Sequence, residues 1–208
     1  LGLVQGLRFP ALASYMLNKD VEKVVIVDCG ANLDINAKQL ARFAALGSAL
    51  SASFGIVSPR VALLNVGKEK GKGNALLKDA YGLLEESGLR FVGNIEGDAI
   101  LKGDADVIVC DGYAGNVLIK SADHVNELTL QMVEKELGDS VEAKSALARV
   151  RARFNYYEEG AAIVLGSRKI CLKGHGTASR NTVLSSVRLA DELYSGGFIE
   201  AIEARFGD

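Results

Sequence analysis

LLNVGKEKGKGN (63–74) is the stretch on which the reading of this chain turns. A strand-like run over 61–66 empties into a loop where Gly67, Gly71 and Gly73 surround Lys68, Lys70 and Lys72. An amphipathic helix pattern starts at about Asn74. Glycine lets backbone N–H groups turn toward one point, and a helix N-terminus adds partial positive charge there. Lysine supplies a mobile cation, so the fitting guest is a small anion, above all phosphate. The spacing is not that of a P-loop, because three residues separate Gly67 from Gly71 and Gly73 follows Lys72. Nor is it a G-x-G-x-x-G fingerprint. The plain alternative is a lysine-bearing surface turn.

Outward from that loop, short apolar, β-branched runs recur at 24–29, 62–66, 89–93, 107–110 and 170–173. Helical periodicity covers 37–51, 74–87, 182–193 and 198–206. The alternation predicts an α/β fold, a mostly parallel sheet with flanking helices. The opening LGLVQGLRFPALASYM (1–16) reads as a buried helix with a turn near Pro10. Two charged helical stretches, 117–137 and 140–154, lack a strand between them and predict a protruding helical hairpin over about 117–154. Its polar faces, His124 included, are solvated or serve docking or dimerisation. Five Gly-rich segments follow apolar runs: CGANLD (29–34), VGKEKGKGN (66–74), GNIEGD (93–98), DGYAGN (111–116) and KGHGTAS (173–179). Ligands bind at the carboxyl edge of open α/β sheets, so all five loops are expected to line one site.

A chain of 208 residues, 49% hydrophobic with 23 Gly and 2 Pro, is large enough to form a single α/β domain over 1–208. A net charge of −2 argues against a general nucleic-acid or membrane surface. Cys29, Cys110 and Cys171 sit singly in or at the end of apolar runs, with no metal spacing and no disulfide set, which suits a reducing cytosol. No apolar run approaches a membrane span, and neither metal nor cofactor is indicated. Cys110 beside Asp111 invites a covalent acyl-enzyme idea. Burial as a strand residue is preferred, and an acidic neighbour works against the thiolate. The chain opens on Leu1 rather than Met, as if cut from something longer.

GANLD (30–34), LLNVG…GKGN (63–74), FVGNIEGDAILKGDADVIVCDGYAGNVLIK (91–120), YYEEGAAIVLG (156–166) and KGHGTAS (173–179) occur in that order. Together they resemble the PlsX family of phosphate acyltransferases. The resemblance implies a fold related to phosphotransacetylase and the isocitrate/isopropylmalate dehydrogenases, and a homodimer. It implies a reaction of phospholipid synthesis, in which an acyl thioester on acyl carrier protein and inorganic phosphate give acyl phosphate and the free carrier thiol. It also implies a cytoplasmic setting with peripheral association at the membrane. The match begins inside the family pattern, so a segment of about a hundred residues is expected upstream and this chain corresponds to the C-terminal two-thirds of the fold. Ala161 and Thr177 stand where family members often have Gly and Ser.

Phosphate needs no strong base to attack, and a thiolate needs no strong acid to leave. The remaining task is positioning and stabilising a tetrahedral oxyanion. Lys72 is the first choice as the cation on phosphate or oxyanion, with the backbone of Gly71, Gly73, Gly174 and Gly176 as cradle. Asn74 donates to the same anion or caps the following helix. Asn32, Asp111 and Asn116 orient phosphate or the pantetheine arm, or terminate strands and cap helices; Asp34 shares that ambiguity. His175, between two glycines, donates to the oxyanion or protonates the thiolate, with Lys173 a weaker second cation. Lys68 and Lys70 are solvated or meet an acidic carrier protein, and Glu158 and Glu159 take structural roles. Rival readings change the donor to acyl-coenzyme A or another thioester, or make the chain a non-catalytic binding subunit.

Overall fold

The computed structural model describes residues 2–154, 161–174 and 179–207, the side chains of 152–154 excepted. Seven strands form one sheet: β1 (Ala11–Leu17), β2 (Lys23–Val27), β3 (Val61–Leu64), β4 (Phe91–Ile95), β5 (Val107–Val109), β6 (Ala162–Leu165) and β7 (Leu172–Lys173). Their spatial order is β4-β3-β5-β2-β1-β6-β7. β4, β3, β5 and β2 run parallel, whereas β2–β1, β1–β6 and β6–β7 pair antiparallel. The sheet is therefore mixed, which corrects the mostly parallel expectation. Two unexpected strands cause the difference. In β1 the residues Ala11, Ala13 and Tyr15 are buried in strict alternation, a period of two that belongs to a strand, not to the helix expected there. β6 comes from the AIVL within YYEEGAAIVLG.

The helices are α1 (Ala37–Ser53), α2 (Ala75–Glu85), α3 (Gly97–Lys102), α4 (Gly112–Leu137), α5 (Val141–Phe154), α6 (Arg180–Ser195) and α7 (Phe198–Phe206). Strand residues alternate between two apolar layers. Val25, Val27, Leu63, Val107 and Val109 pack under α1 with Leu40, Phe43, Leu46 and Leu50, and with Leu193 and Phe198 from α6 and α7. Val24, Ile26, Ala62, Ile108 and Cys110 face the other way, against Ile95, Ile100 and the half-buried Ala114 and Leu118. Because both faces of β2 and β5 are covered, VVIV (24–27) and VIV (107–109) read as unbroken apolar runs. Gly47 lets α1 lie close on the sheet: a Cβ there would stand 2.7 Å from Val107 Cγ1.

α4 and α5 lie side by side, with the Arg151 guanidinium 2.8 Å from Glu134 and 3.9 Å from Glu127. α4 begins at Gly112, five residues ahead of the expected 117, because Asp111 caps it. GNIEGD is likewise divided between β4 and the short α3. Among the described residues no helix is long and apolar enough to cross a membrane.

Candidate active site

Four Gly-rich segments leave the carboxyl ends of the parallel strands β4, β3, β5 and β2, and so adjoin along one edge of the sheet. The β2 segment is folded by Asp28, a fully buried carboxylate. Its Oδ1 accepts the N–H groups of Leu12, Gly30 and Ala31 at 3.2, 3.1 and 3.0 Å. Its Oδ2 accepts the Asn32 N–H at 2.8 Å and Asn32 Nδ2 at 2.6 Å. Five donors replace the water that burial removed. Asn32 also donates to the Pro10 carbonyl at 2.8 Å, and its own carbonyl accepts Gly112 N–H at 2.8 Å.

The N-terminus of α4 is pressed onto this loop. A Cβ on Gly112 would stand 2.6 Å from the Asn32 oxygen, and one on Gly115 only 1.9 Å from the Asp28 oxygen. A Cβ on Gly30 would touch Asn116 at 3.4 Å. Asn32, Asp111 and Asn116 are thus brought together. Asp111 is the α4 cap, its Oδ1 accepting Ala114 N–H at 2.8 Å, so DGYAGN is a helix start and not a free loop.

The lysine segment follows β3, the direct neighbour of β5. Glu69 to Lys72 is a turn closed by Lys72 N–H on the Glu69 carbonyl at 3.0 Å. Asn65, nearly buried at the end of β3, accepts Val66 N–H at 2.8 Å and donates to the Lys72 carbonyl at 3.2 Å. Asn94 on β4 donates to the Glu69 carbonyl at 2.8 Å. Gly73 needs its positive φ of 87° to pass Asn65. The Lys72 side chain is exposed, and its stem lies over Gly67, where a Cβ would meet Lys72 Cγ at 3.2 Å. Lys70, expected to be solvated, is paired with Glu85 at 2.5 Å and lies over the Tyr81 ring. Lys72 has no ion pair among the described residues. Asn74 caps α2 by accepting Leu77 N–H at 3.0 Å, while Gly71 is exposed at the tip.

The fifth loop is elsewhere. β7 runs opposite to β2, so Gly174 leaves it toward the amino ends of the parallel strands, three strands from β2. Four of the expected five loops share an edge; His175 and Gly176 lie outside the described residues, as do Glu158 and Glu159. Cys110 is 1% exposed, and burial, with Cys29, Asp111 and Asp28 nearby, pushes its thiol well above the ordinary range. That is the environment of a packing residue. No cluster of metal-ligating side chains exists among the described residues. Asp28, Asn65 and Asn94 escaped the sequence reading, although each is a lone polar residue at the end of an apolar run.

An α/β protein with this mixed sheet shares its fold with phosphotransacetylases. EutD phosphotransacetylase from Staphylococcus aureus superposes with a TM-score of 0.57 over 97% of this chain and 56% of its own, at 21% identity. A branched-chain phosphotransacylase from Enterococcus faecalis gives 0.58 over 89% of this chain and 65% of its own, at 16% identity. The chain itself belongs to the family described as fatty acid synthesis protein, whose profile matches residues 1–201, and its kinship with the PlsX-type phosphate acyltransferases is borne out. Relatives named phosphate acyltransferase include those of Nostoc punctiforme, 37% identical over 99% of this chain, and Trichodesmium erythraeum, 36% identical over 99%. The chain spans 64% of the length of either relative.

Proposed function

We propose that this chain transfers an acyl group from a thioester on acyl carrier protein to inorganic phosphate, supplying acyl phosphate for phospholipid synthesis. A phosphate oxygen attacks the thioester carbonyl carbon, the C–S bond breaks, and the thiolate leaves to take up a proton. The observation that carries this reading is the exposed Lys72, without an ion-pair partner among the described residues, in the loop that runs from β3 to the N-terminus of α2, β3 adjoining β5, whose own loop starts α4. Two helix N-termini and an ammonium favour a dianion and the oxyanion that follows it. In this reading Gly71 and Gly73 offer backbone N–H groups, and Asn74 a carboxamide. Asn32, Asp111 and Asn116 shape the wall beside them. This reading gives His175 and Gly176 no part at Lys72, because Gly174 just before them leaves β7 toward the opposite edge of the sheet. The relatives' shared name, phosphate acyltransferase, supports the acceptor and the reaction class.

Lys72→Ala tests it. Loss of a cation on the transferring group is expected to lower acyl-phosphate formation by about 10²-fold or more, with unchanged unfolding because the side chain is exposed. Turnover within twofold of the parent would remove Lys72 from the chemistry.

The finer setting belongs to the same proposal: an isocitrate/isopropylmalate dehydrogenase-like fold, a single domain over this chain, and a cytoplasmic enzyme that touches the membrane peripherally. A homodimer is supported by Val125, Leu128 and Met132, spaced along one side of α4 and 63, 57 and 61% exposed. A second reading keeps phosphate and changes the donor to another thioester, such as acyl-coenzyme A. The fold shared with a phosphotransacetylase and a branched-chain phosphotransacylase is what favours it.

A further inference from the structure

Two asparagines beneath the lysine turn have no assigned part in this chemistry. Leu63 of β3 pairs with Asn94 of β4, so Asn94 and Asn65 lie close on adjacent parallel strands, each 8% exposed. Between them they hold both carbonyls of one turn: Asn94 Nδ2 takes the Glu69 oxygen and Asn65 Nδ2 takes the Lys72 oxygen. A carbonyl can only accept, so each carboxamide must present its NH2 group there, and the orientation of both side chains is fixed. Asn65 also accepts Val66 N–H, so one side chain ties the first residue of the loop to the lysine that follows six positions later. With the two carbonyls drawn toward the sheet, the N–H groups of Lys70, Gly71 and Gly73 are left without partners among the described residues. Those groups and the Lys72 ammonium are what an anion would meet.

Asn94 holds the turn at a cost. Its Oδ1 is buried and has no hydrogen-bond partner among the described residues. Stability alone would favour an apolar side chain of the same size at that position. An amide kept there despite an idle acceptor is explained by what its NH2 group holds.

We propose that Asn65 and Asn94 are positioning residues. They clamp the Glu69–Lys72 turn so that Lys72 and the turn's free N–H groups present one rigid anion cradle. The inference rests on the phosphate-transfer reading above and extends it from the ammonium to the buried amides that aim it.

The decisive variant is Asn94→Leu, which removes the donor and the idle acceptor together and keeps the branching and the number of heavy atoms. Its unfolding midpoint is expected to match or exceed that of the parent. Acyl-phosphate formation is expected to fall about 100-fold, the scale of an ångström-sized misplacement, with the KM for phosphate raised and the KM for the acyl donor unmoved. Asn65→Ser, a second and smaller change, is expected to act in the same direction. In a Lys72→Ala background Asn94→Leu should add less than threefold, since the two changes disable one device. Backbone amide exchange supplies a readout independent of turnover: the Lys72 amide, which closes the turn on the Glu69 carbonyl, should exchange about tenfold faster in Asn94→Leu, while those of β3 and α2 stay as they were. Normal turnover in Lys72→Ala overturns the phosphate-transfer reading itself. A slow Lys72→Ala with normal Asn94→Leu and Asn65→Ser overturns the clamp alone. So does an equal loss from Asn94→Leu in both backgrounds, or exchange of the Lys72 amide that does not change.

Discussion

Adding one methyl group to the first turn of α4 should unseat it. An ideal Cβ on Gly115 would stand 1.9 Å from the Asp28 carbonyl oxygen, 3.0 Å from its carbon and 3.0 Å from Cys110 Sγ. A carbon meets a carbonyl oxygen comfortably at about 3.3 Å, so helix and loop must part by roughly 1.4 Å. Neither neighbour can yield cheaply, since one is backbone and the other belongs to a fully buried strand end. Overpacking of this kind costs about 1–3 kcal/mol or more, against which alanine's helix propensity returns about 1 kcal/mol. The net loss for Gly115→Ala is about 2 kcal/mol, or a Tm lower by about 4–8 °C for a chain of this size. Gly82, inside α2, is the control: a Cβ there meets nothing within 4 Å. Gly82→Ala should therefore raise Tm by about 1–4 °C on propensity alone. Thermal unfolding of the two variants beside the parent checks the opposite signs. Because Gly115 seats α4 against the Asp28–Asn32 loop, its variant should also lose about 10²-fold in acyl-phosphate formation at temperatures where it is folded. A Gly115→Ala protein as stable as the parent would refute the reasoning, for it would mean that the helix does not sit on that carbonyl.

Asn74 can be separated into its two candidate roles: Asn74→Ala should cost about 1 kcal/mol in urea unfolding through the lost cap. Asn74→Ser should restore that stability, and a rate that stays low in the Ser variant assigns the carboxamide to the anion as well. Burial works against ionisation of Asp106, but the Arg60 guanidinium at 2.6 Å and its N–H at 2.7 Å outweigh that and hold the carboxyl below its ordinary value. A lowered folded value gives stability that is present above about pH 4 and lost as pH falls through it. Arg60→Met should thus cost about 1–2 kcal/mol at pH 7, a difference from the parent that shrinks in unfolding curves taken below pH 4; a gap constant with pH would contradict the pairing. Leu128→Glu, which charges the exposed stripe of α4, should shift a dimer to monomer in sedimentation, and an unchanged mass would move any interface elsewhere.

The helices α1, α2, α6 and α7 were legible to within a few residues because each carries an apolar stripe at helical spacing, and the central strands because runs such as VVIV (24–27) are apolar on both faces. β1 was not, since Ala-Leu-Ala-Ser-Tyr alternates small residues whose burial only the neighbouring β2 and β6 decide. Strand direction was not legible either. Nothing in KGHGTAS announces that β7 runs against β2, and that one fact removes Gly174 from the edge where Lys72 lies.

What builds that edge does have a local signature, visible only in retrospect. β2 is followed by Asp28, β3 by Asn65, and β5, after Cys110, by Asp111. Each side chain turns onto the backbone of its own succeeding segment: Asp28 onto 30–32, Asn65 onto Val66 and Lys72, Asp111 onto Ala114. Read singly, such residues look like strand terminators, because Asp and Asn end strands for purely local reasons. Read together, they divide the labour of the edge. Acidic and amide side chains are consumed in shaping backbone, two glycines admit the N-terminus of α4, and Lys72 remains paired with no acid among the described residues. An anion arriving there would find N–H groups and an ammonium already oriented, with the carboxylate of Asp28 buried beneath its own loop and bound by five donors. That division accounts for the two acids that follow β2 and β5, Asp28 and Asp111, whose carboxylates are bound to backbone; Glu69, with its Oε2 beside Gly67, is the acid that stays next to the lysine turn.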